Sequence, residues 1–136
     1  MNFLIIEDDA ITAMVLEEML SEFGTCDVVE NGLLGLEKLE SKFKENLTYS
    51  VIFLDIMLPE RSGQDILLDI RNLDEKYNKS GMESTKVIMS TALDDYDNIK
   101  KAFNNLCEGY IIKPFDKEKI TKALIDLDVL YSDDED

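Results

Sequence analysis

The sequence predicts an α/β fold of three layers, in which helices cover both faces of a doubly wound, five-stranded parallel sheet. Two observations support this prediction. Short apolar runs of strand length alternate along the chain with longer segments of helical periodicity. The runs are apolar throughout rather than alternating with polar residues, which is typical of parallel strands buried on both faces. Right-handed crossovers then leave few possible topologies.

The first half of the chain supplies three of the predicted strands and two of the helices. The strand-length runs cover residues 3–6, 26–29 and 51–54. The first helix is predicted from residues that recur at the spacing i, i+3, i+4, i+7, i+8 and i+11, which places them on one helical face. These residues are Thr12, Val15, Leu16, Met19, Leu20 and Phe23. Gly24 is expected to cap this helix, and Asn31-Gly32 marks a turn. The second helix follows with the apolar positions Leu36, Leu39 and Phe43.

The second half of the chain adds two strands, at residues 87–89 and 110–112, and three helices. The helices are marked by apolar residues at helical spacing, namely Ile66, Leu67, Ile70 and Leu73, then Ile99, Ala102 and Phe103, then Ile120, Leu124, Leu127 and Tyr131. The polar stretch 78–84 is longer than a typical helix-to-strand connection. Residues 132–136 are expected to form an acidic, disordered tail, so the predicted domain spans residues 1–131.

The composition excludes several classes of function. A chain of 136 residues with 45% hydrophobic residues is expected to form one domain. Its net charge of −16 argues against nonspecific binding to nucleic acid. No apolar run approaches the roughly 18 residues that span a bilayer, and the first residues lack the basic region of a signal peptide. The absence of histidine excludes His-based triads and His-ligated zinc, and two widely separated cysteines are typical of a reduced, cytoplasmic chain.

Polar residues follow four of the five predicted strands. In a parallel sheet all carboxyl ends share one edge, and open α/β sheets bind ligands there. The residues delivered to that edge are Glu7-Asp8-Asp9 after strand one, Asp55 after strand three, Ser90-Thr91-Ala92 after strand four and Lys113-Pro114 after strand five. Strand two ends in Glu30-Asn31-Gly32, a turn without obvious chemistry. We therefore expect one polar crevice in which Asp55 lies at the mouth of its strand.

This set of charges predicts phosphoryl chemistry at a divalent cation. Carboxylates gathered within a few ångströms repel one another, and Lys113 supplies only one positive charge. A hard cation such as Mg²⁺ takes oxygen ligands from one or two carboxylates together with phosphate and water. Asp55 beside such a cation can act as a nucleophile toward a phosphoryl group, with Lys113 and a hydrogen bond from Thr91 stabilising the transition state.

Four segments together resemble a known family. FLIIEDD, VIFLDIMLP, VIMSTA and GYIIKPF occur in this order and at the spacing found in the receiver domain of two-component response regulators, the CheY-like fold. Each segment alone is a weak signal, whereas all four in register are highly specific and cover nearly the whole chain. The resemblance implies the flavodoxin-like strand order 2-1-3-4-5, which the residues alone do not give.

The resemblance also implies a role for each site residue. Asp55 matches the phosphoacceptor. Glu7 and Asp8 match the acidic pair that holds Mg²⁺ (or Mn²⁺), with Asp8 as the direct ligand and Glu7 acting through water. Met57 matches the position whose backbone carbonyl ligates the metal. Asp9 is left out of the site, because an acid there is expected to cap the first helix.

Three further positions match residues that read the phosphoryl group. Thr91 and Lys113 match the residues that grip its oxygens, and strand alternation places Ser90 on the opposite side from Thr91. Tyr110 matches the aromatic residue that turns inward when the threonine moves. The Lys113-Pro114 bond is cis in this family.

The sequence departs from the family pattern at three places. Met57 and Leu93, two residues after Asp55 and Thr91, are apolar at positions that often carry polar side chains beside the phosphate. They offer the attacking water no hydrogen bond, so a long-lived phosphoryl group is expected. Leu106 replaces a glycine that commonly follows the fourth helix. The 78–84 loop is longer than usual.

Three other functions share part of this pattern. A haloacid-dehalogenase-like phosphatase also uses an aspartyl nucleophile after a strand, but it expects a second aspartate where Met57 stands. A receiver-like scaffold would bind partners without being phosphorylated. The full set of Glu7, Asp8, Asp55, Thr91 and Lys113 argues against this function, and a phosphorylation assay distinguishes the two. A flavodoxin-like flavin binder needs a Ser/Thr/Gly-rich loop after strand one, where this chain has acids.

The function expected from the resemblance is that of a stand-alone response regulator in a phosphorelay. It would take a phosphoryl group from the histidine of a kinase or phosphotransfer protein, since it has no histidine of its own. It would switch contacts with a downstream protein through the face formed by helix four, strand five and helix five. It is expected to be a signalling phosphoacceptor rather than an enzyme, present as a monomer or as a dimer that forms on phosphorylation.

Overall fold

A computed structural model describes residues 1–103 and 106–129, apart from the side chains at positions 93, 98, 102 and 103. The strands are β1 (Asn2–Ile6), β2 (Thr25–Val29), β3 (Val51–Asp55), β4 (Val87–Ala92) and β5 (Gly109–Lys113). The helices are α1 (Ala10–Leu20), α2 (Gly32–Lys44), α3 (Gly63–Lys76), α4 (Tyr96–Phe103) and α5 (Lys117–Asp126). Short 3₁₀ turns lie before and after β4, at Gly81–Glu83 and Leu93–Asp95. The expected tail, 132–136, and Tyr131 fall outside the described residues.

The five strands form one sheet in the order β2-β1-β3-β4-β5, and every neighbouring pair is parallel. This confirms the predicted doubly wound α/β fold and the strand order implied by the resemblance. The chain changes direction across the sheet between β1 and β3, which is where open sheets of this kind bind ligands. Within the described part of the chain, no helix combines the length and the apolar character required to cross a bilayer.

Two apolar cores lie on opposite faces of the sheet, because successive strand residues point to opposite sides. Leu4 and Ile52 face the core that α2 and α3 cover. Phe3 and Phe53 face the core that α1 and α5 cover, and their rings meet edge to face at 6.1 Å. The central strand β3 is buried along its whole length, so Asp55 at its end is positioned by the packed sheet.

The buried face of α1 agrees with the predicted one except at its edges. Ala13, Leu16 and Leu20 are buried, whereas Val15, placed on the predicted face, is 39% exposed. Leu16 and Leu20 of the predicted face are buried, and Met19 and Phe23 pack against the same core, so the prediction was wrong only at Val15. Because α1 is apolar around most of its circumference, spacing alone does not define the edges of the stripe that packs inward. Met14, at 62% exposure, is one of the apolar residues left on the surface.

Gly24 does not cap α1. The helix ends at Leu20 and is capped by Ser21, whose hydroxyl donates to the carbonyl of Glu18 at 2.7 Å. At Gly24 a Cβ atom would lie 2.1 Å from the carbonyl oxygen of Met1. The glycine is therefore required by the close approach of two backbone segments at the amino edge of the sheet, which sequence spacing does not reveal.

A partly buried polar network ties the elements together at the amino edge. Arg71 of α3 donates to the carbonyl oxygens of Thr85, at 2.7 Å, and Leu106, at 2.8 Å. It also pairs with Asp74 at 3.0 Å and with Glu108 at 2.9 Å. The Asp74 carboxylate, buried, accepts from the hydroxyl of Thr85 at 2.6 Å. One guanidinium thus holds the segments that precede β4 and β5 against α3. Leu106, which stands where the family commonly has glycine, has its carbonyl hydrogen-bonded to this side chain.

Candidate functional site

The candidate site lies at the carboxyl edge, where β1, β3 and β5 end. Glu7 is the first residue after β1, Asp55 is the last residue of β3, and Lys113 is the last residue of β5. Parallel register aligns these ends, because Ile6 pairs with Leu54 and Ala92 pairs with Lys113. The sheet itself therefore brings together side chains that are far apart in sequence.

The acidic part of the site consists of Glu7, Asp8 and Asp55. One carboxylate oxygen from each lies within 4.8 Å of the other two. Glu7 and Asp55 are buried, at 5% and 4% exposure, while Asp8 is exposed. The convergence predicted for these residues is present, and the cluster opens to the surface on the side of Asp8.

Lys113 compensates part of this negative charge. Its Nζ lies 2.8 Å from Oε1 of Glu7 and 3.2 Å from Oδ1 of Asp55. Burial lowers the pKa of Lys113, but the hydrogen bond to Glu7 and the charge of Asp55 outweigh it, so its pKa lies above the ordinary value. The ammonium therefore remains a fixed positive charge at neutral pH.

The electrostatics of Glu7 show that one lysine does not neutralise the cluster. Burial, with the hydrogen bond and charge of Asp55, raises the pKa of Glu7 to about 7, against an ordinary value of 4.5, although Lys113 opposes the shift. Three carboxylates face one ammonium within a few ångströms. The set consists of hard oxygen donors and is short of positive charge, which is the chemistry that suits a divalent cation such as Mg²⁺.

The loop after β3 holds Asp55 and shapes the rim. The backbone N–H of Met57 donates to Oδ1 of Asp55 at 3.2 Å, and the Met57 side chain is 71% exposed above the site. The loop returns to the strand end, where the N–H of Gly63 donates to the carbonyl of Ile56 at 2.9 Å. A Cβ atom at Gly63 would lie 2.4 Å from the carbonyl oxygen of Asp55. Gly63 is thus a site-shaping residue that sequence reasoning missed, and its only signal was a glycine eight positions after Asp55.

Thr91 lies on the neighbouring strand, and its hydroxyl is hydrogen-bonded within its own strand. β4 continues to Ala92 instead of ending at residue 89, because Ser90 and Thr91 are both buried and paired within the sheet. The Thr91 hydroxyl donates to the carbonyl of Ala92 at 3.3 Å. Ser90 bonds to the Leu54 carbonyl instead, at 3.5 Å. The structure therefore brings together Glu7, Asp8, Asp55 and Lys113, and places Thr91 on the adjacent strand with its hydroxyl bonded to Ala92 rather than to them.

Tyr110 lies at the start of β5, with its ring against that of Tyr96 at a centroid distance of 5.9 Å. Its hydroxyl is buried. Burial, followed by the adjacent thiol of Cys107, raises its pKa above the ordinary value.

The Lys113-Pro114 peptide bond is cis, as the resemblance implied. Leu93 was predicted to offer the attacking water no hydrogen bond. Its side chain is not among those that the structure describes.

Asp9 is an N-cap rather than a member of the cluster. Its Oδ1 accepts from the N–H of Ile11 at 3.0 Å, and its Oδ2 accepts from the hydroxyl of Thr12 at 3.1 Å. These hydrogen bonds lower the pKa of Asp9, and the bond from the Thr12 hydroxyl has the largest effect. The prediction that Asp9 caps the first helix is confirmed, and its neighbour Asp8 is left free to face the cluster.

Comparisons with known proteins agree on one family. A family model described as the response regulator receiver domain matches residues 3–125. The chain is 29% identical over 125 residues to the chemotaxis protein CheY of Halobacterium salinarum, covering 91% of this chain and 93% of that protein. It is 35% identical over 117 residues to the transcriptional activator protein IrlR of Burkholderia pseudomallei, covering 85% of this chain and 45% of that protein. It spans about half the length of the curated transcriptional regulators that it matches.

Solved structures show the same fold. The receiver domain of the sensor histidine kinase PA1611 from Pseudomonas aeruginosa, solved with a magnesium ion in its active site cleft, aligns with a TM-score of 0.70 at 24% identity, covering 91% of this chain and 93% of that one. A response regulator receiver domain protein from Clostridium thermocellum aligns with a TM-score of 0.75 at 21% identity, covering 93% and 94%. With the family match over residues 3–125, these findings establish that the chain belongs to the receiver domain family of two-component response regulators.

Proposed function

We propose that this receiver accepts a phosphoryl group on Asp55 from a histidine of a partner protein, a kinase or a phosphotransfer protein. The observation that carries the proposal is the position of Asp55, buried at a strand end between two further carboxylates and an ammonium group. A buried carboxylate in such a cluster is costly for a protein to retain, and clusters of this kind are typical of sites that do chemistry.

The carboxylates of Glu7, Asp8 and Asp55 and the backbone carbonyl of Met57 would hold a Mg²⁺ or Mn²⁺ ion. The fit rests on the all-oxygen donor set and on the three carboxylates that lie within 4.8 Å of one another. When bound, the cation supplies positive charge to the phosphoryl oxygens. The magnesium ion in the Pseudomonas aeruginosa receiver supports this choice of metal.

In the transfer step, a carboxylate oxygen of Asp55 attacks the phosphorus of the phosphohistidine. The new P–O bond forms as the P–N bond breaks, and the imidazole nitrogen leaves with the electron pair. Lys113, 3.2 Å from Asp55, offers a fixed cation to the charge that the phosphoryl group brings. Thr91 would donate to a phosphoryl oxygen, which requires its hydroxyl to leave the carbonyl of Ala92.

The output would pass through the face formed by α4, β5 and α5. A groove of about 460 Å³ on this face is bordered by the two tyrosines and by lysines of α5. Movement of Thr91 toward the phosphoryl group would free space next to β5 and change the packing of Tyr110 against Tyr96. Because the net charge is −16, contact with a protein rather than with nucleic acid is the expected output of a chain that acts as a stand-alone receiver.

Phosphorylation by acetyl phosphate tests the proposal without knowledge of the natural donor. The wild-type chain should gain one phosphoryl group in the presence of Mg²⁺ and none in the presence of EDTA. Asp8→Asn should weaken Mg²⁺ binding by calorimetry, whereas Asp65→Asn, an exposed aspartate on α3, should not. Phosphorylation that proceeds equally in EDTA would contradict the role of the cation.

The output is tested separately with beryllofluoride, which mimics a phosphoryl group. Its addition with Mg²⁺ should shift the backbone amide resonances of Thr91 and Tyr110 and of neighbouring residues on β5 and α5. Shifts confined to the loops that carry Glu7, Asp8 and Asp55 would show that the α4-β5-α5 face does not respond.

A further inference from the structure

A groove of about 410 Å³ lies between α1 and α2, above the end of the edge strand β2. Met14 and Glu17 of α1 form one wall, and Leu34 of α2 forms the other. Val28 and Glu30 border it at the end of β2. This groove, the α1-α2 groove, is a different surface from the α4-β5-α5 face.

The α1-α2 groove exposes large apolar side chains that the fold does not use. Met14 is 62% exposed, Val28 is 41% exposed and Leu34 is 39% exposed. Isolated apolar residues on a surface need no explanation, but several that line one concave surface mark a contact site. Met14 is also a flexible, polarisable side chain, which is suited to packing against a partner.

The charged residues that line the groove are acidic, although Glu7 among them is paired with Lys113. The first 37 residues of the chain contain nine acidic residues and no lysine or arginine. The residues that line the groove include four acids and no basic residue: Glu7, Asp8, Glu17 and Glu30 are the acids. A partner that enters the groove therefore meets negative charge on its rim and apolar surface within it.

This combination selects the chemistry of the occupant. A second copy of the chain, with a net charge of −16, would be repelled, as would an anionic membrane. A helix that carries apolar residues on one face and lysine or arginine beside them satisfies both features at once, and helix-in-groove binding is a common mode of recognition. We propose that the α1-α2 groove binds a basic amphipathic helix of a partner protein.

The proposal goes beyond phosphoryl transfer, since it requires only the unphosphorylated chain. Because Glu7 and Asp8 lie at the inner end of the groove, an occupant would also lie next to the cluster that contains Asp55. Binding of a helix there would place a partner beside the phosphorylation site without using the output face.

An 18-residue model peptide with leucine on one helical face and lysine on the other is a suitable probe. The control is a peptide of identical composition, scrambled so that it forms no amphipathic helix. Titration of the full chain in about 0.1 M salt, followed by backbone amide shifts, should place the amphipathic peptide on α1, the end of β2 and the start of α2. The scrambled peptide should bind at least roughly tenfold more weakly.

Two pairs of substitutions separate the apolar and charged contributions. Met14→Gln with Leu34→Gln should weaken binding about tenfold, and Glu17→Gln with Glu30→Gln should do the same. The matched control is Leu47→Gln with Leu68→Gln, which alters two exposed leucines outside the groove and should leave the affinity unchanged. Equal binding of both peptides, shifts on another face, or equal weakening by the control pair would overturn the proposal. The glutamate pair decides the question if the apolar pair unfolds the chain.

Discussion

Lys113 Nζ lies 2.8 Å from Oε1 of Glu7, so the end of β5 is joined to the end of β1 across the two intervening strands, β3 and β4. The same Nζ lies 3.2 Å from Oδ1 of Asp55, so one ammonium contacts both buried carboxylates. The ammonium does not fully offset the burial of Glu7 and the proximity of Asp55, which together raise the pKa of Glu7 to about 7. The site is therefore held together at a cost to the folded state, and this cost can be measured.

Glu7→Gln should stabilise the metal-free protein at high pH. The folded-state pKa of Glu7, about 7, lies above the ordinary value of 4.5, so the folded state binds more protons than the unfolded state between these pH values. Stability should therefore fall as pH rises from about 4.5 to about 7, and the variant should lose this dependence. In EDTA at pH 8 the gain should be about 2 kcal/mol by urea unfolding.

The control for this experiment is Glu83→Gln, which alters an exposed acid in the turn before β4. It should show the pH dependence of the wild type. If Glu7→Gln also retained that dependence in EDTA, the acidic cluster would not be the source of the strain.

Lys113→Gln should bind Mg²⁺ more tightly than the wild type, even though it should impair the response to phosphorylation. The ammonium competes with a divalent cation for the same carboxylates, so its removal should raise the affinity by roughly three- to tenfold. Isothermal titration calorimetry measures this change. Lys101→Gln, at an exposed position of α4, should have no effect, and weaker binding by Lys113→Gln would show that the lysine organises the ligands rather than competing.

Met57→Asn should shorten the lifetime of the phosphorylated state. Hydrolysis requires a water aligned with the P–O bond at Asp55, and the Met57 side chain, 71% exposed at the rim, offers that water no hydrogen bond. An amide at this position should orient the water and speed loss of the phosphoryl group by roughly tenfold. The decay of intact mass after removal of the phosphodonor gives the rate.

The matched variant for this test is Met82→Asn, at a 96% exposed methionine far along the chain. It should decay at the wild-type rate. An unchanged rate in Met57→Asn would refute the assignment of the long lifetime to the apolar rim.

Arg71→Ala should destabilise the fold by about 3–5 kcal/mol, because it leaves the buried Asp74 carboxylate without its ion-pair partner and two carbonyls without a donor. Arg61→Ala, which breaks the exposed pair with Asp69, should cost less than about 1 kcal/mol. Urea unfolding at pH 7 compares the two. Similar losses for both variants would mean that the amino-edge network does not stabilise the fold.

The sequence predicted the fold and the cluster because both follow from short-range patterns. Apolar runs define the strands, and a charge that ends a run must lie at the strand end, which is why Glu7, Asp55 and Lys113 were correctly placed together. Rotation about a helix axis is not fixed in this way, so the packing of Val15 was predicted wrongly. The functions of Gly24 and Gly63 depend on close backbone approaches between segments. Arg71 also donates to the backbone carbonyl of Leu106, 35 positions away, and a carbonyl acceptor leaves no mark on the pattern of side chains.

The direction of the Thr91 hydroxyl could not be predicted from the sequence either. Strand alternation placed Thr91 and Ser90 on opposite sides, but rotation about the side-chain bond determines whether the hydroxyl faces the Ala92 carbonyl or the site. That choice depends on which acceptor is present, and a phosphoryl group would offer a stronger one.

The most direct test of the account is the intact mass of the chain after incubation with acetyl phosphate and Mg²⁺, compared among wild type, Asp55→Asn and Asp9→Asn. Asp9 is the matched control, because it follows the same cluster in sequence but caps α1. The account predicts one added phosphoryl group on the wild type and on Asp9→Asn, and none on Asp55→Asn. A phosphoryl group that remains on Asp55→Asn, or one that is lost only with Asp9→Asn, would contradict it.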